Sequence, residues 1–237
     1  MLNKLIMNKL ALIVLFILIR STANASDTTA VFSASVKANF KKYISLSNNA
    51  YNKKDFEKAQ QLFDSLVQNS LVGTQFDDFS FKQVGKKRLQ LSKINKPTLI
   101  ITYASWCIMG KGELPALNKL AAQYKDKIQI VVLFWNKKNE MKKIARKFNS
   151  DIKVCYAHET ERKDYKAITL LKKTLGFPTM YFLDHNLEVV DIQRSFVKPE
   201  SKIDIKTSIA FYYQKFNNGI SNLVISDTSR DMGLAKN

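Results

Sequence analysis

Thr98-Leu99-Ile100-Ile101-Thr102-Tyr103-Ala104-Ser105-Trp106-Cys107 is the stretch on which the fold turns. Six residues of strand-forming type end in a short link to a cysteine. Lys96-Pro97 sets the start, because proline cannot donate to a sheet ladder and favours the first position of a strand. Beyond the cysteine, Leu114, Leu117, Ala121 and Tyr124 recur at helical spacing and predict a helix over 113–125. A sulfur between a strand end and a helix start faces unpaired main-chain N–H groups and the positive end of the helix dipole. Both favour thiolate over thiol. Lys111 adds a positive charge, and Cys107 becomes the candidate nucleophile.

Outward from this point, strands and helices alternate. Ile128 to Trp135 is a continuous apolar run, the pattern of a strand covered on both faces. A helix over 138–149 follows, through Met141, Ile144, Ala145 and Phe148, then a short strand from Ile152 to Ala157. Ile168, Leu171 and Leu175 mark a helix over 164–175. Met180 to Leu183 and Glu188 to Ile192 are strands around a turn at His185-Asn186. A last helix over about 200–216 carries Ile205, Ile209, Tyr212 and Phe216, and residues 217–237 read as a tail of weak periodicity. Upstream, residues 79–91 alternate around Val84-Gly85-Lys86 as a β-hairpin does. The fold class is therefore α/β, a mixed sheet flanked by helices, because a closing pair joined by so short a turn must be antiparallel. Glu113 and Pro115 fall in the early helix after the cysteine. Gly176-Phe177-Pro178-Thr179 precedes a strand, where a cis proline would stand against Cys107.

Residues 26–75 form a helical extension. Phe32, Val36, Phe40 and Ile44 make one helical face, and Phe56, Ala59, Phe63 and Leu66 make a second after the turn residues Asn48, Asn49 and Asn52. The second stretch resembles half of a tetratricopeptide unit. It occurs once, and such repeats need about three copies to bury their faces, so a hairpin packed on the main domain is expected.

Residues 1–25 have the composition of a signal peptide. Lys4 and Lys9 precede the apolar run Leu10 to Ile19, and Ala23-Asn24-Ala25 supplies small residues for cleavage. Such a run falls short of the ~20 residues that span a bilayer. A periplasmic or secreted protein beginning near Ser26 is expected. No cysteine follows the cleavage site to carry a lipid anchor. The formal net charge of the 237 residues is +18. Lysines and arginines are spread along the chain with no dense basic run interleaved with aromatics, which argues against nucleic acid. A solvated basic surface is expected, with a weak tendency towards anionic membrane surfaces or acidic partners.

The run from Phe81 through Gly85-Lys86, Leu91-Ser92, Lys96-Pro97 and Trp106-Cys107 to Glu113-Leu114-Pro115 resembles the TlpA/ResA-type thiol–disulfide oxidoreductases, exported bacterial members of the thioredoxin superfamily. The likeness continues through Gly176-Phe177-Pro178-Thr179 and Phe182-Leu183-Asp184, and covers residues 76–216. It implies a thioredoxin-like domain whose extra helix and strand are 138–157. It also implies roles. Cys107 would attack, Trp106 would shield it, and Glu113 would match a buried acid that manages protons. Pro178 would be the cis proline. Phe177 would offer main-chain hydrogen bonds to a bound peptide, with Thr179 beside it in the substrate-binding groove.

The departure from that family is plain. Where it has Cys-x-x-Cys, this chain reads Cys107-Ile108-Met109-Gly110. Gly110 cannot resolve a mixed disulfide. Gly110 and Gly112 each cost a helix ~1 kcal/mol relative to alanine, so the helix is expected to begin near Glu113-Leu114-Pro115. The other cysteine, Cys155, is expected at the sheet edge beyond the 128–135 strand, buried and inert. A disulfide needs Cα atoms within ~7 Å, which disfavours a bond to Cys107. Cys155-x-x-His158 lacks a second pair of ligands, so no metal or other cofactor is called for. A peroxiredoxin would carry threonine where Ala104 stands. Two functions stay open: monothiol exchange with disulfide- or thiol-bearing envelope proteins, resolved by an external thiol, or a non-catalytic module holding an extended peptide or partner.

Overall fold

A computed structural model describes residues 29–104, 106–107, 111–194, 204–231 and 233. Residues 1–25, read above as a signal peptide, and Ile108, Met109 and Gly110 lie outside the described residues. The elements, in chain order, are α1 (Phe32–Asn52), α2 (Phe56–Leu66, continued as a π-helical turn Val67–Leu71), β1 (Ser80–Gln83), β2 (Lys86–Gln90) and β3 (Thr98–Tyr103). They continue with α3 (Glu113–Tyr124), β4 (Gln129–Phe134), α4 (Lys138–Ala145) and β5 (Ile152–Tyr156). Last come α5 (Tyr165–Ala167, continued as the π-helical Ile168–Thr174), β6 (Thr179–Leu183), β7 (Val189–Arg194) and α6 (Ile205–Asp231).

Among the described residues, seven strands form one sheet in the order β2-β1-β5-β4-β3-β6-β7. β3, β4 and β5 run parallel, and β6 and β7 close one side antiparallel, as the short turn between them requires. Strand periodicity divides the core into two. Ile100 of β3 points to a cluster with Phe32, Phe63 and Leu71 of the α1–α2 hairpin. Leu99, Ile101 and Tyr103 point to the opposite cluster, with Leu117 and Leu120 of α3 and Phe216 and Ile220 of α6. Each such side chain, once buried, contributes roughly 1.5–3 kcal/mol, so the sheet is held by helices on both faces.

The α1–α2 hairpin is part of the domain. Arg194 of β7 donates to the Tyr43 hydroxyl at 2.8 Å and to the Leu175 carbonyl at 2.9 Å. Its guanidinium lies 3.9 Å from the centre of the Phe63 ring, an arrangement in which the cation is held by the ring quadrupole.

Two expectations are corrected. The last helix does not end at 216. It continues to Asp231, because Ile220 and Leu223 extend the buried face begun by Tyr212 and Phe216. Arg230 then ties its end to the β6–β7 turn through Asp184 at 2.6 Å and Glu188 at 2.8 Å. Nor is β5 at the sheet edge: β1 pairs with it antiparallel, Gln83 opposite Cys155, so the β1–β2 hairpin forms that edge. No helix among the described residues is long and apolar enough to cross a membrane.

Candidate active site

β3 delivers the site. Where it ends, the Trp135 N–H donates to the Tyr103 carbonyl at 2.8 Å. The chain then turns: the Cys107 N–H donates to the Ala104 carbonyl at 2.9 Å, and the Ala104 N–H donates to Cys107 Sγ at 3.3 Å. The sulfur is folded back over the strand end, partly buried against the cluster under α3 and α6.

α3 starts only at Glu113, with Gly112 as its N-cap. Glu113 is six positions beyond Cys107, and among the described residues the N–H that reaches the sulfur is that of Ala104. The start of α3 at Glu113 follows the expectation from the two glycines before it, and it weakens the hold of the helix dipole on Cys107. Burial pushes the thiol up first, the Ala104 hydrogen bond partly offsets this, and the negative charge of Glu113 pushes it up again.

Glu113 is buried, 4% exposed, and accepts a hydrogen bond from the Tyr103 hydroxyl. The buried phenol is held far above its usual range, chiefly by loss of water and then by the Glu113 charge. From α6, Tyr212 and Lys215 also feel the Glu113 charge, and burial draws the Lys215 ammonium down. A donated hydrogen bond stabilises a buried carboxylate, so strand, helix and C-terminal helix together hold an acid beside the thiol. If that acid suppresses the thiolate, Glu113→Gln speeds alkylation of Cys107 at pH 7 by about threefold or more. The rate with iodoacetamide is the measurement, with the urea midpoint as a folding check.

The second loop of the site precedes β6. The Phe177–Pro178 peptide bond is cis. The Phe177 ring meets Trp106 edge-on, centroids 5.5 Å apart, which brings the Cys107 turn and the proline loop together. Trp106 is 74% exposed, so the indole widens the Phe177 surface towards solvent. Among the described residues, the Phe177 main chain makes no hydrogen bond. Thr179 does not join this surface. It is fully buried, its N–H donating to the Thr102 hydroxyl at 3.1 Å and its own hydroxyl to the Gly176 carbonyl at 3.0 Å. These bonds fix the loop, and the Thr179 side chain lies beneath the surface expected to bind substrate.

Cys155 lies apart from this site. It is fully buried among residues of the α1–α2 cluster, on the opposite side of the sheet from Cys107, and loss of water pushes its thiol up to about 12. Both cysteines are free. Sequence reasoning missed Tyr103 and the contribution of α6. An aromatic at a strand end reads as core, and only the acid ten residues later hinted at a partner.

Residues 72–192 match the model of the AhpC/TSA family. The chain is 30% identical over 122 residues to the thioredoxin-like protein YneN of Bacillus subtilis (strain 168), an alignment covering 51% of this chain and 69% of that protein. Among solved structures, it is similar to the thioredoxin domain of thiol-disulfide oxidoreductase BVU-2223 from Bacteroides vulgatus, at 16% identity, 62% of this chain, 96% of that one and a TM-score of 0.47. It is also similar to StoA from Bacillus subtilis, at 15% identity, 52% of this chain, 92% of that one and a TM-score of 0.39.

Proposed function

The chain belongs to the AhpC/TSA family and has a thioredoxin-like relative, and from that premise we propose that it is an exported monothiol thiol–disulfide exchange protein with Cys107 as its nucleophile. One observation carries the reading. Cys107 sits beside a surface of Trp106 and Phe177, where the Phe177 main chain is unengaged and a buried acid stands behind the sulfur. Ala104 offers the sulfur a main-chain N–H and has no hydroxyl, which speaks against peroxide as the substrate.

In this reading an extended segment of a partner pairs with Phe177 beside Pro178. The Cys107 thiolate attacks one sulfur of the partner's disulfide. A Cys107–partner disulfide forms, and the other sulfur leaves as a thiolate that takes up a proton. With glycine at position 110 and Cys155 across the sheet, an outside thiolate must finish the reaction. Attack on the partner sulfur frees Cys107 and leaves a rearranged disulfide, with no net change in oxidation. Net reduction consumes two external thiols, which are oxidised to a disulfide while both partner sulfurs become thiols.

Insulin reduction by excess dithiothreitol tests the proposal. The wild-type chain accelerates it, and Cys107→Ser falls to the rate without protein; equal rates for the two proteins remove the enzyme reading. The raised Cys107 thiol favours a second reading, a non-catalytic module that holds an extended segment at the same surface.

A further inference from the structure

We infer that the cationic face of α4 makes Cys107 selective for acidic partners, those whose reactive disulfide or thiol is flanked by carboxylates. This rests on the exchange reading above and names its substrate class.

β3 and β4 are parallel neighbours, and the Trp135–Tyr103 hydrogen bond is the last tie between them. Past it, one chain reaches Cys107 in four residues and the other reaches Lys138 in three. Even fully extended at ~3.6 Å per residue, with strands ~5 Å apart, the two cannot be more than about 30 Å from each other. Met141 is buried, and Ile144 and Phe148 pack partly, in the cluster that Cys107 also touches. The opposite face of the segment is left outward. Lys137, Lys138, Lys142, Lys143, Arg146 and Lys147 are all exposed, and none forms an ion pair among the described residues. Lys137, Lys138, Asn139 and Lys142 line one open concavity.

The acids nearby do not cancel this charge. Glu140 is bonded to the neutral Asn136 and keeps its charge, one against six. After β5, Glu161 is tied to Lys82 at 2.7 Å and Glu159 to Lys172 at 3.1 Å. Six cations against one acid between positions 137 and 147 give the Cys107 end of the sheet a local positive field. Such a field raises the encounter rate of negative partners and disfavours positive ones. It reaches ~30 Å at 0.01 M salt, comparable to the upper bound on the span, and is cut to less than ~10 Å above 0.1 M.

One peptide disulfide made in aspartate-flanked, uncharged and lysine-flanked versions provides the test, with formation of the Cys107 mixed disulfide followed at pH 8 in 0.01 M and 0.3 M salt. In wild type at low salt, the aspartate version reacts about tenfold faster than the lysine version, and the gap closes at high salt. Lys138→Glu/Lys142→Glu removes most of the gap. Lys37→Glu/Lys41→Glu, an equal charge change on α1 at the other face of the sheet, leaves it within twofold. One rate for all three peptides, or equal effects of the two double variants, overturns the inference while exchange itself stands. If Cys107 reacts with none of the peptides, the exchange reading falls and takes this one with it.

Discussion

Alkylation of Cys107 by iodoacetamide accelerates about tenfold for each unit between pH 6 and pH 8, about a hundredfold in all, without reaching a plateau. Only thiolate reacts, and below its pKa the thiolate fraction rises tenfold per unit. The ordinary cysteine value is about 8.5, and burial and Glu113 move Cys107 upward from there. The whole interval therefore lies on the rising limb. A sulfur at a helix N-terminus would behave in the opposite way, with its pKa lowered and its rate level across the same range. Cys155 does not blur the measurement, since it is fully buried with a thiol near 12. The rate is read by mass spectrometry of the Cys107 peptide. A rate already flat at pH 6.5 would mean that the sulfur is ionised there, and the described surroundings of Cys107 would be wrong.

Gly112→Ala costs about 2–3 kcal/mol of folding stability, seen as a lower urea midpoint with an unchanged slope. The backbone here is ordinary, φ −90° and ψ −10°. On local grounds alone, alanine in place of glycine stabilises by ~0.4–1 kcal/mol through the unfolded chain. Contact reverses the sign. A Cβ on Gly112 would run into the main chain of Ser208 and Ile209, closer than real atoms approach. Main chain cannot rotate aside as a side-chain tip can, so α6 would have to move off α3. That would strain the Gly112 N–H to Ser208 Oγ hydrogen bond, 3.1 Å long, and the packing of Tyr212 and Phe216. An unchanged or raised midpoint would show that the two helices do not meet there.

β3, β4 and β6 were legible because each buries a nearly uninterrupted apolar run; the run Thr98 to Tyr103 coincides with β3 in full. The late start of α3 was legible too, from the two glycines before Glu113. What could not be read was how elements meet. A β-hairpin pattern over 79–91 does not say which strand it will join, so Cys155 was placed at an edge that β1 in fact covers. The extension of α6 was missed because its small, half-polar residues dilute the period, although Phe216, Ile220 and Leu223 do keep helical spacing. Site chemistry depends on such meetings. Cys107, Trp106 and Phe177 could be nominated by type and order, whereas the Tyr103–Glu113 bond and the reach of α6 exist only once β3, α3 and α6 are packed.

The floor beneath Glu113 is completed from residues far along the chain: Gly112 and Ser208, which meet there, are 96 positions apart. A chain made from its N-terminus presents Cys107 well before Tyr212 and Lys215 exist. Until α6 docks, Glu113 lacks the neighbours that Tyr212 and Lys215 provide, and the surroundings that set the Cys107 thiol are incomplete.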